Sequence, residues 1–114
     1  MSELSEFSCE ACRSDAPRVT GDELEQLLSE LPDWELEVID NVRQITRTYT
    51  FSNFRTAMQF SNAIADLAES EGHHPAILTE WGKVTLSWWT HKIMGLHKND
   101  FILAARSDDI YEKG

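Results

Sequence analysis

Residues 69–91 read ESEGHHPAILTEWGKVTLSWWTH, and the fold turns on how this stretch is divided. Pro75 has no N–H to give a helix and biases His74 towards extended backbone, so the helical pattern before it must stop near Glu71. Gly72 suits the left-handed position just past a helix end. Beyond the proline, residues 76–81 and 84–91 are rich in aliphatic, aromatic and β-branched side chains, with Gly82 and Lys83 between them. A glycine leading a two-residue loop predicts a type II′ hairpin. That loop sets Trp81 opposite Val84, Ile77 opposite Trp88, Ala76 opposite Trp89 and His74 opposite His91, with opposed Cβ atoms roughly 4.5–5.5 Å apart. Two imidazoles then meet at the open end of the hairpin, with His73 beside them. One face, carrying Ile77, Trp81, Val84, Leu86 and Trp88, belongs to a core. The other carries His74, Ala76, Leu78, Glu80, Thr85, Ser87, Trp89 and His91, a semi-polar surface able to hold a flat, polar heterocycle.

Upstream, Leu24, Leu27, Leu28 and Leu31 recur at helical spacing and Pro32 ends the run. Thr20 with Glu23 three residues later predicts a capping box at its start. Trp34, Leu36 and Val38 alternate with acidic residues as a half-buried strand does, Asp40-Asn41 is turn chemistry, and residues 42–51 form a second strand. A two-residue turn there places Leu36 opposite Ile45 and Trp34 opposite Arg47, where a guanidinium and an indole can stack. Ser52 or Asn53 caps a long helix running to Glu71. Lys98, Asn99 and Asp100 begin a last one, with Asn99 or Asp100 as its cap and Phe101, Ile102, Ala105 and Ile110 spaced for burial. The expected class is α+β: a four-stranded antiparallel sheet from two hairpins, helices on one face, in the order α-β-β-α-β-β-α.

The 114 residues fit one modest core, and the 41% hydrophobic and 10% aromatic content is that of a globular chain. Residues 1–18 form an irregular acidic arm and residues 19–114 a single domain. Residues 1–40 carry twelve of the 20 acidic residues and two of the 10 basic ones, which leaves eight of each for the remainder. The net charge of −10 is therefore a property of the N-terminal third. No basic stripe is present to neutralise phosphates, which argues against nucleic-acid binding. No apolar run approaches the ~18–20 residues of a membrane span, and the N-terminus lacks the pattern of a signal peptide, so the cytoplasm is the expected location. Cys9 and Cys12 form one Cys-x-x-Cys with no second pair, short of a structural zinc site, and read as thiols of the arm.

All four histidines fall within residues 69–100. His73, His74 and His91 have three readings: ligands of a catalytic metal, caps of a helix end or hairpin, or acid–base groups whose near-neutral titration suits proton transfer. No His-x-x-x-His or aspartate at ligand spacing accompanies them, which weighs against a metal.

Glu69, His73-His74-Pro75, Trp81, His91 and Asp100, at these spacings, resemble the pterin-4a-carbinolamine dehydratase family. Phe51-x-x-Phe54, Lys83-Val84-Thr85-Leu86 and Gly95-Leu96 before Asn99-Asp100-Phe101 extend the resemblance over about residues 20–110. The arm with Cys9 and Cys12 lies outside it. The resemblance implies removal of water from 4a-hydroxytetrahydropterin to give quinonoid dihydropterin, in the recycling of the pterin cofactor of aromatic amino-acid hydroxylation. It implies His73, His74 and His91 as catalytic residues, Glu69 and Asp100 as substrate-binding or orienting groups, and Trp81 in the family's aromatic slot. It further implies no metal or redox cofactor, a homodimer or homotetramer, and a functional link to an aromatic amino-acid hydroxylase. Animal members of the family also serve as dimerisation cofactors of a homeodomain transcription factor. The alternative function is therefore a pterin- or protein-binding module with little catalysis.

Overall fold

The computed structural model describes residues 18–113. Cys9, Cys12 and all but the last residue of the expected arm lie outside the described residues. The order is α1 (Gly21–Ser29), β1 (Glu35–Ile39), β2 (Val42–Thr50), α2 (Phe54–Glu71), β3 (Ala76–Glu80), β4 (Lys83–Trp88) and α3 (Lys98–Lys113), with a 3-10 turn at His91–Ile93 between β4 and α3. The sheet runs β1-β2-β4-β3, every neighbour antiparallel. The second strand of each hairpin thus lies at the centre, where Ile45 faces Trp88 and Tyr49 faces Val84. All four of these side chains are buried. Phe60 of α2 and Tyr111 of α3 both pack on Tyr49, and the Trp88 indole N–H donates to Ser107 of α3 at 3.3 Å, so both helices cover one face of the sheet.

The first hairpin has the expected register, with Leu36 opposite Ile45. Its loop residues Asp40 and Asn41 both take positive φ (52° and 65°), the conformation for which Asp and Asn are tolerated in tight hairpin turns. Beyond that register the expectation needs correction. β1 is an exposed edge, with Leu36 39% and Val38 61% accessible, while Trp34 is buried just before the strand begins. Arg47 does not find its aromatic partner in Trp34: its guanidinium lies 4.3 Å from the Tyr49 ring centroid and also over Tyr111. Thr20 precedes α1 but its side chain makes no capping bond.

The second hairpin closes differently from the expectation. Glu80 pairs with Lys83, which makes Trp81 and Gly82 the loop, with Gly82 (φ 75°) at its second position. Ile77 therefore faces Leu86, and Ala76 faces Ser87. The difference is two residues of partner, and side chains alternate with period two, so the residues within β3 and β4 keep their expected faces. Trp81 leaves the core face for the turn, where it is 73% exposed. His74 and His91 are not ladder partners at all, because β4 ends at Trp88.

α2 begins at Asn53, whose side-chain oxygen accepts the Thr56 N–H at 2.8 Å. It ends at Gly72 in the left-handed region, with His73 N–H donating to Ala68 O and Gly72 N–H to Glu69 O. These are the two hydrogen bonds of a Schellman motif, and they fix the backbone of the first histidine to the helix end.

At the far side of the core, Asp108 of α3 accepts from the Trp34 indole at 3.1 Å, Arg47 at 2.6 Å and the Tyr49 phenol at 2.6 Å. One carboxylate thereby joins the segment after α1, the central strand β2 and α3. Burial, and then the neighbouring Asp108 charge, push the Tyr49 phenol well above its usual range. A phenol held protonated by folding contributes stability that is fully present below its unfolded pKa of about 10 and is lost as the pH rises beyond it. Tyr49→Phe should cost about 1.5–3 kcal/mol near neutral pH, the net worth of one hydrogen bond to a charged group. It should also flatten the decline in stability above about pH 10. Urea titrations at both pH values check this; a variant that weakens in alkali as steeply as the parent would contradict the assignment.

Candidate active site

The site is built where three chain segments converge on one buried side chain. Asp100, in the first turn of α3, is fully inaccessible. Its Oδ1 lies 2.7 Å from His73 Nε2, and its Oδ2 accepts from the Thr90 hydroxyl at 2.8 Å and the His97 backbone N–H at 2.9 Å. An ionised carboxylate only accepts, so His73 presents Nε2–H to it. The Asn99 N–H donates to His97 Nδ1 at 3.0 Å. His97 thus caps α3 through the N–H of its second residue, and Asp100 at the third returns a carboxylate to the His97 N–H, as the acidic residue of a capping box does. The expectation of Asn99 or Asp100 as the cap itself is displaced by this arrangement. His97 caps, and Asp100 reaches back to it while the other carboxylate oxygen holds His73.

His73 is 3% exposed, and its ring lies 5.8 Å from that of Trp88. The next two imidazoles are open to solvent. His74 Nε2 is 3.3 Å from Glu69 Oε1, an ion-pair geometry between two exposed side chains. Such a pair is worth little in stability but orients the ring. His91 opens the 3-10 turn after β4, and its Nε2 is 2.9 Å from the His74 carbonyl. A carbonyl only accepts, so this nitrogen carries the proton and Nδ1 is the position left to take or give one. The turn is pinned from both sides. Thr90 and Gly95 exchange backbone hydrogen bonds, Arg18 donates to Met94 O at 3.3 Å, and Val19 N–H donates to Leu96 O at 2.8 Å.

Between the end of α2 and this turn lies a cavity of about 310 Å³ lined by Gly72, His73, His74, His91 and Lys92. The structure therefore brings together five of the six expected residues. His73, His74 and His91 line the cavity, Glu69 adjoins His74, and Asp100 seats His73. Trp81 is not brought in. It sits at the closed end of the hairpin, and β3 separates it from the histidines by roughly 15 Å at the usual rise per residue. Sequence reasoning missed Lys92, Thr90 and the capping role of His97. Adjacency to His91 was the only signal for Lys92, and the other two depend on the path of the turn. Among the described residues, no three of His, Cys, Asp or Glu are grouped as a metal ion would require.

The family model for pterin 4 alpha carbinolamine dehydratase matches residues 17–110, and the chain belongs to that family. A transcriptional coactivator/pterin dehydratase from Brucella melitensis is 29% identical in sequence. Its structure superposes with a TM-score of 0.74, over 83% of this chain and 99% of that one. A pterin dehydratase-like protein identified as a RuBisCO assembly factor in the alpha-carboxysome shares the fold at 20% identity and a TM-score of 0.59, over 69% of this chain and 89% of that one.

The Asp100 contacts generate a specific expectation. In Asp100→Asn the amide oxygen must stay with the Thr90 and His97 donors, which turns the amide N–H towards His73. The His73 ring should then invert its tautomer to offer a lone pair at Nε2, at a cost of about 1–3 kcal/mol for the disturbed buried contacts. Nitrogen-15 NMR of labelled histidine reads the change, and an Nε2 that stays protonated in the variant would contradict the account.

Proposed function

We propose that this family member is a 4a-hydroxytetrahydropterin dehydratase, a lyase working by histidine acid–base chemistry. The observation that carries the reading is the cavity walled by three imidazoles, one of them seated on a buried carboxylate. In the reaction the C4a–O bond breaks as the hydroxyl takes a proton, the N5–H bond gives up its proton, and a C4a=N5 double bond forms. Water and quinonoid dihydropterin are the products, and no electrons are exchanged with a cofactor. One group must donate a proton and another accept one, roles that the ring nitrogens of neighbouring imidazoles can divide between them. His74 and His91 are the two exposed rings and carry the proton transfers. His73, held by Asp100, forms the fixed wall against which the heterocycle sits, and Glu69 orients His74. The catalysis is metal-free. Trp81 lies outside this cavity and takes no part in the chemistry within one chain.

The physiological context proposed is recycling of the pterin cofactor in the cytoplasm, linked to an aromatic amino-acid hydroxylase. The assembly proposed is a homodimer or homotetramer. Its support is the open sheet, whose edge strands β1 and β3 and the adjoining turn expose Leu36, Val38, Ile39, Leu78 and Trp81. No helix among the described residues is long and apolar enough to cross a membrane.

Stopped-flow absorbance of quinonoid dihydropterin formation tests the function. The purified chain should accelerate dehydration and keep its activity after exhaustive chelation. His74→Ala and His91→Ala should each lower kcat by ~10²–10⁴-fold, down to the floor set by the uncatalysed reaction. Because the two rings share one task, the double variant should be about as slow as the worse single one. No acceleration by the parent chain would return the site to the role of a binding module, and activity lost on chelation and restored by zinc would overturn the metal-free chemistry.

A further inference from the structure

We infer that Trp89 is a positioning residue for His91, acting on the reaction through the imidazole and not through contact with the substrate. The inference rests on the dehydration reading above. Trp88 is fully buried beneath α3, whereas Trp89, the first residue past β4, is half-buried and packs against the edge of the core. The Trp89 indole lies parallel to the His91 ring, with centroids 4.4 Å apart and 25° between the planes. It is not among the residues lining the cavity.

His91 needs such a support because its backbone is held and its side chain is not. The turn around it is fixed by Thr90, Gly95 and Arg18, but the residue itself is exposed, and among the described residues its ring has one hydrogen bond, from Nε2 to the His74 carbonyl at 2.9 Å. One hydrogen bond fixes a point and leaves the ring free to swing about that axis. A stacked aromatic face fixes the plane. Together the two constraints determine where Nδ1 lies, and Nδ1 is the atom that must reach the substrate proton. Proton transfer is sensitive to such placement: a shift of about 1 Å at a reacting group can cost ~10²-fold in rate. The other groups beside His91 are His74, paired with Glu69 at the end of α2, and Lys92 on its own turn, all with exposed side chains. Among the described residues, the stacking partner of the His91 ring is Trp89.

The test combines kinetics with histidine side-chain NMR on the full chain, the parent beside Trp89→Ala and Trp89→Phe. Trp89→Ala should lower kcat by ~10–10²-fold while KM for 4a-hydroxytetrahydropterin changes by less than about twofold, and Trp89→Phe should recover most of the loss. In the parent, the His91 ring protons should show the upfield shift of a ring lying on an indole face, and Nε2 should be the protonated nitrogen. Trp89→Ala should abolish the upfield shift while the His73 signals stay in place. A folded Trp89→Ala protein with unchanged kcat would overturn the inference. So would a loss confined to KM, which would make the indole a substrate contact, or a parent protein whose His91 signals lack the ring shift. If the parent turns over no hydrated pterin, the proposed function falls, and the NMR comparison alone decides whether Trp89 holds His91. Should Trp89→Ala fail to fold, the parent spectrum and Trp89→Phe kinetics decide it.

Discussion

The buried Asp100 carboxylate is the contact on which the site depends. Its three hydrogen bonds run to the second residue after α2, to the residue before the His91 turn, and to the cap of α3. A carboxylate with no access to water would be costly without partners, and breaking such a group from one of them destabilises by about 3–5 kcal/mol. The same energetic demand that forces it to be satisfied forces three separate chain segments into one geometry. The cavity is the space left between two of them. Asp100 is thus a structural group that shapes the cavity: it sets the position of His73 and, through Thr90, the point from which the His91 turn departs.

The fold class was legible because the punctuation was strong. Gly72 and Pro75 bound α2 in the sequence as they do in the structure, where Gly72 is left-handed and the Schellman bonds are present. Asp40-Asn41 gave the right register for the first hairpin because both residues tolerate positive φ, so only one loop fits. The second hairpin has a single glycine, and a glycine can occupy either position of a two-residue loop depending on the turn type. Placing it first shifted every partner by two. Faces survived the shift, and partners did not. The proximity of His74 and His91 was expected from the ladder, but it arises from the 3-10 turn, which no periodicity announces.

The burial of the site was the least legible feature. Adjacent histidines in a sequence look equivalent, yet His73 is enclosed and His74 is open, because the Schellman motif turns the first inward against Asp100 and the proline carries the second outward. Trp81 shows the converse. Its aromatic character fits a core face in the sequence, and the turn leaves it in solvent at the far end of the hairpin. Membership of the family is a statement about residues 17–110 as a whole, and the contrast between the enclosed His73 and the open His74 comes from local geometry.

On the proposed function, a reduced pterin binds in the cavity between the end of α2 and the His91 turn. The decisive measurement is titration of the nitrogen-15-labelled chain with a stable dihydropterin. Chemical-shift changes should concentrate on Gly72, His73, His74, His91 and Lys92, the residues lining the cavity of about 310 Å³. Changes centred instead on the aromatic groove of about 170 Å³ lined by Phe51, Phe60 and Tyr111, or no changes at saturating pterin, would contradict it.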